Sequence, residues 1–134
     1  VNLVFSALFA GPVLSLFAMA CADFDSRGAG IALVALAAIA LVAGSAALFM
    51  HEATLSGIAN NEITAAQLVP EYLATIWAHV AIGSAGIACA AASLKKTVSR
   101  RGVFALRLVA CLLVFAAVFA TRADFYFLHM TVGF

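Results

Sequence analysis

Residues 28–51, GAGIALVALAAIALVAGSAALFMH, form an apolar run without a single Asp, Glu, Lys or Arg. About 20 such residues in a helix cross the roughly 30 Å of hydrocarbon in a bilayer. Three further segments resemble it: residues 1–22 carry no charge, residues 72–94 carry none apart from a possible one on His79, and residues 102–121 carry only Arg107. Since lipid offers the backbone no hydrogen-bond partners, each segment is expected to be a helix.

The composition agrees with a protein that lies mostly in a membrane. Of the 134 residues, 66% are hydrophobic and 10% are charged, which is typical of multi-pass membrane proteins. The formal net charge of +1 gives no overall field that would attract nucleic acid, so the expected surroundings are the lipid bilayer. We therefore predict an all-α integral membrane protein, a single membrane domain with spans at about residues 2–22, 30–50, 71–94 and 102–122.

The distribution of charge predicts the orientation of these spans. Residues 95–101 contain four basic side chains, whereas the segment 51–71 contains three Glu and no Lys or Arg. The positive-inside rule makes the basic loop, with Lys95, Lys96, Arg100 and Arg101, cytoplasmic. Alternation then puts the segment 51–71 and both termini outside. We expect a multi-pass protein of the bacterial cytoplasmic (inner) membrane with this orientation.

Small residues and short turns indicate how the helices pack. Helix two places Ala40 and Gly44 four residues apart, and helix three contains Gly83 and Gly86. Small side chains at such spacing let helix backbones approach closely in lipid. An antiparallel four-helix bundle is expected, with a short interfacial helix between helices two and three that begins near Asn60 and ends at Pro70.

Histidine 79 is the ionisable side chain expected deepest in the outer half of the bundle. Counted from Pro70, it lies about 13 Å along the helix axis at about 1.5 Å per residue. An ionisable group at that depth normally faces the bundle interior or a wet cavity. Two interpretations stay open: a neutral His hydrogen-bonded to a neighbouring helix, or a group that handles protons.

The C-terminal residues Arg122, Tyr126 and His129 follow at positions i, i+4 and i+7, so a continuing helix aligns them on one stripe. A cation, a phenol and an imidazole suit the oxygens of a quinol head group, and His can accept its proton near neutral pH. The alternative is an interfacial belt of aromatic side chains with a snorkelling Arg.

Haem and proton-coupled transport are the other chemistries considered. Haem is not expected, because His51 and His129 lie near the interface whereas His79 is deeper, and two axial ligands must meet at one level. A small transporter would need a carboxylate inside a span, and the predicted spans contain none.

Two stretches resemble the membrane anchor subunit of the dimethyl sulfoxide reductase family. Residues 122–133, RADFYFLHMTVG, are similar to that family's closing pattern R-x-x-F-Y-x-L-H-M-T-V-G, although Asp124 stands where the pattern is usually uncharged. Residues 68–72, LVPEY, resemble its outer loop ending L-V-P-D/E-Y, and residues 9–12, FAGP, resemble its G-G-P helix. The resemblance is to the C-terminal half of an eight-span anchor.

This resemblance implies a role in menaquinol oxidation. An anchor of this kind passes electrons to an iron–sulfur electron-transfer subunit and on to a molybdopterin catalytic subunit. The family's His and Glu most associated with quinol binding belong to the other half and have no matching positions here. The expected quinol contacts are therefore Arg122 and His129, with Tyr126 and His79 behind them, and no independent catalytic residue or metal ligand is expected. The competing interpretation is a stand-alone four-span transporter or membrane assembly factor.

The predicted orientation can be tested with single cysteines in a background without Cys21, Cys89 and Cys111. Ser56→Cys should react with a membrane-impermeant thiol reagent in intact cells, because its loop is expected outside. Ser99→Cys should react only after the cells are lysed. Labelling of Ser99→Cys alone in intact cells would reverse the orientation.

Overall fold

The computed structural model describes residues 2–54, 57 and 71–132, with side chains described for 3–54, 57 and 71–126. Within these residues the regular elements are four helices: α1 (Asn2–Cys21), α2 (Arg27–Thr54), α3 (Tyr72–Ala92) and α4 (Arg100–Val132). Each contains a segment long and apolar enough to cross a membrane. The prediction of an all-α protein with four membrane-length helices is confirmed. The predicted interfacial helix falls on residues 58–69, which lie outside the described residues.

The helices form a ring in which α1 packs on α2, α2 on α3, α3 on α4, and α4 back on α1. Two contacts show how α1 and α2 lie together: Gly44 lies against Phe5 of α1, and Gly30 lies near Leu16. We distinguish two ends of the bundle, the turn end and the His79 end. The turn end contains the connections at residues 22–26 and 93–99. The His79 end contains the start of α1, the end of α2, the start of α3 and the part of α4 near Arg122.

The interior is filled mainly by side chains of α1 and α4. Phe9, Val13 and Leu16 are fully buried, as is Val114 of α4, and they belong to one hydrophobic cluster. The outer faces are also apolar: Ile39 and Val42 of α2 and Phe119 of α4 are exposed. Apolar residues on both faces are expected of helices surrounded by lipid or by other membrane segments.

The connection between α1 and α2 is closed by a backbone motif. Asp23 has a φ of 56°, in the left-handed region, and the N–H of Phe24 donates to Met19 O at 2.9 Å. Asp adopts this conformation more readily than most residues with a Cβ. Its carboxylate also accepts from Arg100 at 2.8 Å, which connects the two turns at this end of the bundle, although both side chains are largely exposed.

Helix α4, with 33 residues, is the longest element. At about 1.5 Å per residue such a helix extends about 50 Å, well beyond the roughly 30 Å hydrocarbon layer. It runs unbroken past the predicted span end at 122. The helix on which Arg122, Tyr126 and His129 were expected to align is therefore present as far as Val132.

Glycine 86 marks a close approach of α3 to α4. A methyl group added there would lie 2.9 Å from Val114 Cγ2 and 3.3 Å from both Ala110 O and Leu113 Cβ. The nearest obstacles thus include backbone, which cannot move aside as easily as a side-chain end. Gly83 is comparably close to Leu41 and Phe9. The small-residue stripe expected on helix three does allow close packing.

Replacing Gly86 with Ala should therefore destabilise the bundle. We expect a loss of about 1–3 kcal/mol, the usual cost of overpacking. The midpoint of unfolding by SDS, or of thermal unfolding in a mild detergent, measures it.

Gly11→Ala is the matched control, since a methyl group there meets nothing within 4 Å. It should leave the midpoint unchanged or raise it slightly, because Ala is the better helix former. Equal midpoints for the two variants would contradict the proposed close approach at Gly86.

Candidate functional site

His79 lies inside the bundle, as its depth in the sequence predicted. Only 6% of its surface is exposed, and the buried face of α3 also carries Tyr72, Ile76 and Gly83. The imidazole Nδ1 lies 2.9 Å from the carbonyl oxygen of Ala117 on α4. The ring also meets Phe9 of α1 edge to face, with centroids 5.7 Å apart. His79 is thus held by two neighbouring helices.

The hydrogen bond to Ala117 fixes the tautomer of His79. A carbonyl oxygen can only accept, so Nδ1 must carry a hydrogen and donate it. In the neutral ring Nε2 then holds a lone pair and can accept a proton. The arrangement agrees with the first interpretation of His79, a neutral ring bonded to a neighbouring helix, and it leaves the second open, because Nε2 is not used in this bond.

Arg122 lies on α4 at the same end of the bundle and is partly buried. Its Nη2 donates to Ser6 Oγ on α1 at 3.2 Å. Its guanidinium carbon lies 5.9 Å from the centroid of the Phe125 ring, within the range of a cation–π interaction. The guanidinium is therefore held between a hydroxyl and an aromatic face.

A small cavity of about 30 Å³ brings these groups together. By volume it holds roughly one or two water molecules. Its wall includes side chains from all four helices, with polar groups from Ser6, Tyr72, His79, Thr121 and Arg122 among apolar ones such as Phe9 and Leu48. His79 and Arg122, predicted separately as site residues, thus border one polar cavity.

The other two predicted site residues are placed differently. Tyr126 is 60% exposed, and its ring packs on Phe125 with centroids 5.8 Å apart, but it does not line the cavity. His129 is within α4, and its side chain lies outside the described residues. His51 is at the same end, where its ring lies 6.0 Å from that of Tyr72.

Sequence reasoning missed Ser6 and Thr121 as cavity residues. Ser6 is a single hydroxyl in an apolar helix and nothing in its spacing singles it out. Thr121 directly precedes Arg122, so its position next to a predicted site residue was a signal that could have identified it. Tyr72 is also buried and lines the cavity.

A carboxylate also lies within the candidate span of α4. Because the helix continues past residue 122, Asp124 is inside the segment Arg100–Tyr126. Its Oδ2 is buried and has no hydrogen-bond partner in the part of the chain that the structure describes. The expectation that no span contains a carboxylate depended on a span ending at 122.

The chemistry available at this end is therefore that of hydrogen bonding and proton transfer. The cavity is lined by one permanent cation, that of Arg122, one imidazole, that of His79, and hydroxyl groups around a space that fits water. Among the described residues, no three His, Cys, Asp or Glu side chains are grouped so that they could hold a metal ion.

Comparison with known proteins supplies the family. A family model described as DMSO reductase anchor subunit (DmsC) matches residues 2–128, nearly the whole chain. No curated protein and no solved structure matches the chain. The family match confirms the predicted resemblance to this family. The chain, with its four membrane-length helices, therefore belongs to the family of DMSO reductase anchor subunits.

Proposed function

We propose that this anchor subunit supports menaquinol oxidation at the His79 end of the bundle and delivers the electrons to an iron–sulfur subunit, which serves a molybdopterin catalytic subunit. One observation carries the proposal: in a bundle that is mostly apolar, His79 and Arg122 border the same polar cavity. Membership of the anchor family favours this function over a stand-alone transporter or assembly factor.

Oxidation of a quinol requires a proton acceptor as well as an electron acceptor. Each quinol that becomes a quinone releases two electrons and two protons. In this proposal the electrons leave through the partner subunit, and the chain itself supplies polar contacts and a route for protons. The lone pair on His79 Nε2 suits the second task, since an imidazole accepts protons near neutral pH.

The volume of the cavity limits where the head group binds. A space of about 30 Å³ fits water but not the two fused rings of a menaquinol head group. The head group is therefore proposed to bind at the mouth of the cavity, beside Arg122 and the exposed Tyr126. Water inside the cavity would connect it to His79. This assigns His79 to proton transfer and Arg122 to direct contact.

Arg122 suits contact with a quinol oxygen because its charge does not titrate. The guanidinium donates hydrogen bonds in a fixed planar arrangement, and its bonds to Ser6 and the Phe125 ring hold it in place. Donation to a quinol oxygen stabilises the negative charge that develops as a proton leaves. His129, one turn beyond Tyr126 on α4, is proposed as an auxiliary contact.

The proposed orientation also determines on which side of the membrane the site lies. The turn end carries most of the basic residues and is proposed to face the cytoplasm of a bacterium. The His79 end and both termini then face outside, where the released protons would go and where the partner subunits would associate.

Replacing His79 with Gln in the assembled complex tests its role. The Gln amide can still donate to Ala117 O but cannot take a proton near neutral pH. Quinol-dependent turnover should fall about 10²-fold or more, the usual effect of losing a proton-transfer group. Activity with a soluble artificial electron donor, which bypasses the anchor, should stay unchanged.

His51→Gln is the matched control, because His51 lies at the same end but does not line the cavity. It should change quinol-dependent turnover less than about tenfold, as expected when at most a hydrogen bond is lost. Equal effects of His79→Gln and His51→Gln at equal assembly would remove the proposed proton role of His79.

His129→Ala should lower quinol-dependent turnover less than His79→Gln does. We expect quinol-dependent turnover to fall about tenfold or less, since loss of an auxiliary hydrogen bond costs about 0.5–1.5 kcal/mol. The measurement is turnover with a menaquinol analogue in membranes with normal assembly of the complex. Unchanged turnover would reduce His129 to a residue of the aromatic belt.

A further inference from the structure

A second, larger cavity lies at the turn end, opposite the His79 end. It has a volume of about 430 Å³ and is bounded by the turns after α1 and α3 together with the start of α4. Five basic side chains line it against two carboxylates, those of Asp23 and Asp25, an excess of three positive charges. The basic residues are Arg27, Lys95, Lys96, Arg100 and Arg107.

We propose that this cavity binds a phosphate group, specifically that of an anionic phospholipid head group. The inference does not depend on the quinol proposal, because it concerns the other end of the bundle and different residues. It rests on the position of Arg107, on the excess of positive charge, and on the apolar side chains beside that charge.

The burial of Arg107 at the wall distinguishes this cavity from the surface of an ordinary basic loop. Only 3% of the surface of Arg107 is exposed, although it lies within the candidate span of α4. Its Nε donates to Ser93 Oγ at 3.2 Å and its Nη1 donates to Leu16 O at 3.1 Å. The other guanidinium N–H groups have no hydrogen-bond partner among the described residues. A buried arginine with unused donors at a cavity wall is suited to a phosphate oxygen.

The bonds of Arg107 also place the guanidinium before any ligand arrives. Ser93 Oγ accepts from Arg107 and donates its own hydrogen to Ala90 O at 2.6 Å, so the hydroxyl has a fixed direction. Helices α1, α3 and α4 thus all contribute to holding one side chain. A ligand that binds a preorganised group avoids the entropic cost of ordering it.

The acidic residues at the cavity do not cancel its charge. Asp23 is paired with Arg100 at 2.8 Å, which leaves Arg27, Lys95, Lys96 and Arg107 opposed by Asp25 alone. The positive-inside rule explains basic residues in an exposed loop. It does not explain a buried Arg107 inside a span, and lipid-binding pockets between membrane helices have this combination of features.

Apolar side chains beside the basic ones favour a lipid over a free ion as the source of the phosphate. Met19, Phe24 and Val103 line the same cavity, and Phe24 is largely exposed. Inorganic phosphate would gain nothing from these residues. The glycerol backbone and first acyl carbons of a phospholipid would cover them.

The test uses the purified chain in a neutral detergent and measures lipid binding by native mass spectrometry. Phosphatidylglycerol and phosphatidylcholine with identical acyl chains are titrated in parallel. Both carry a phosphodiester, but the choline cation opposes the positive cavity. We expect phosphatidylglycerol to bind at least about fivefold more tightly, the effect of roughly one basic side chain near a lipid head group.

Two variants that remove one positive charge each from the same loop locate the site. Lys96→Gln should weaken phosphatidylglycerol binding about fivefold. Arg101→Gln should leave it unchanged, because Arg101 is exposed and does not line the cavity. Arg107→Gln should weaken binding at least as much as Lys96→Gln. Since this variant can also disturb folding, Lys96→Gln against Arg101→Gln is the deciding comparison.

Equal binding of the two lipids, or equal weakening by Lys96→Gln and Arg101→Gln, would overturn the proposal. A competition arm then identifies the source of the phosphate. If sodium phosphate displaces phosphatidylglycerol while sodium chloride at the same ionic strength does not, and the Lys96 dependence persists, free phosphate is the ligand. If neither salt displaces it and the Lys96 dependence remains, the lipid is the ligand.

Discussion

Most polar side chains inside this bundle bond to the protein itself, because the surrounding hydrocarbon offers no hydrogen-bond partner. Arg107 donates to Leu16 O and Ser93 Oγ, His79 donates to Ala117 O, and Arg122 donates to Ser6 Oγ. In each case the partner lies on another helix or, for Ser93, directly after one. The need to satisfy polar side chains therefore joins α4 to α1 at both ends and α3 to α4 beside each cavity.

The apolar packing works with these bonds. Phe9 and Leu16 of α1 are fully buried between the two polar clusters, and Gly83 and Gly86 let α3 approach its neighbours. Van der Waals contact is the main attraction between helices in lipid, and it requires close and continuous surfaces. Polar bonds at the two ends then help to fix the rotation of α1, α3 and α4, since a helix turned by one residue would separate His79 from Ala117 and Arg107 from Leu16. The packing brings the helices together, and the hydrogen bonds set their register.

The sequence predicted the membrane helices well, because the length of an uncharged apolar segment directly shows whether it can span the hydrocarbon of a bilayer. It also predicted that His79 faces inward, since an ionisable group at that depth has few alternatives. It ended the fourth span at 122, whereas the apolar candidate span of α4 continues to Tyr126. It did not predict the partners of His79 and Arg122, since Ser6 and Ala117 gain their roles from the packing of different helices. The sequence aligned Arg122 with Tyr126 on one helix, but only Arg122 lines the cavity, and Tyr126 is largely exposed.

The length of α4 has a mechanical consequence. One unbroken helix contains Arg107 in the turn-end cavity, Arg122 at the His79 end and the segment up to Val132. Arg107 and Arg122 therefore sit on the same continuous hydrogen-bonded helix. The two cavities are about 22 Å apart along this helix, from the 15 residues between the two arginines at about 1.5 Å each. Helix α4 therefore supplies part of the wall of both cavities, and a displacement of this helix along its axis would move a wall residue of each.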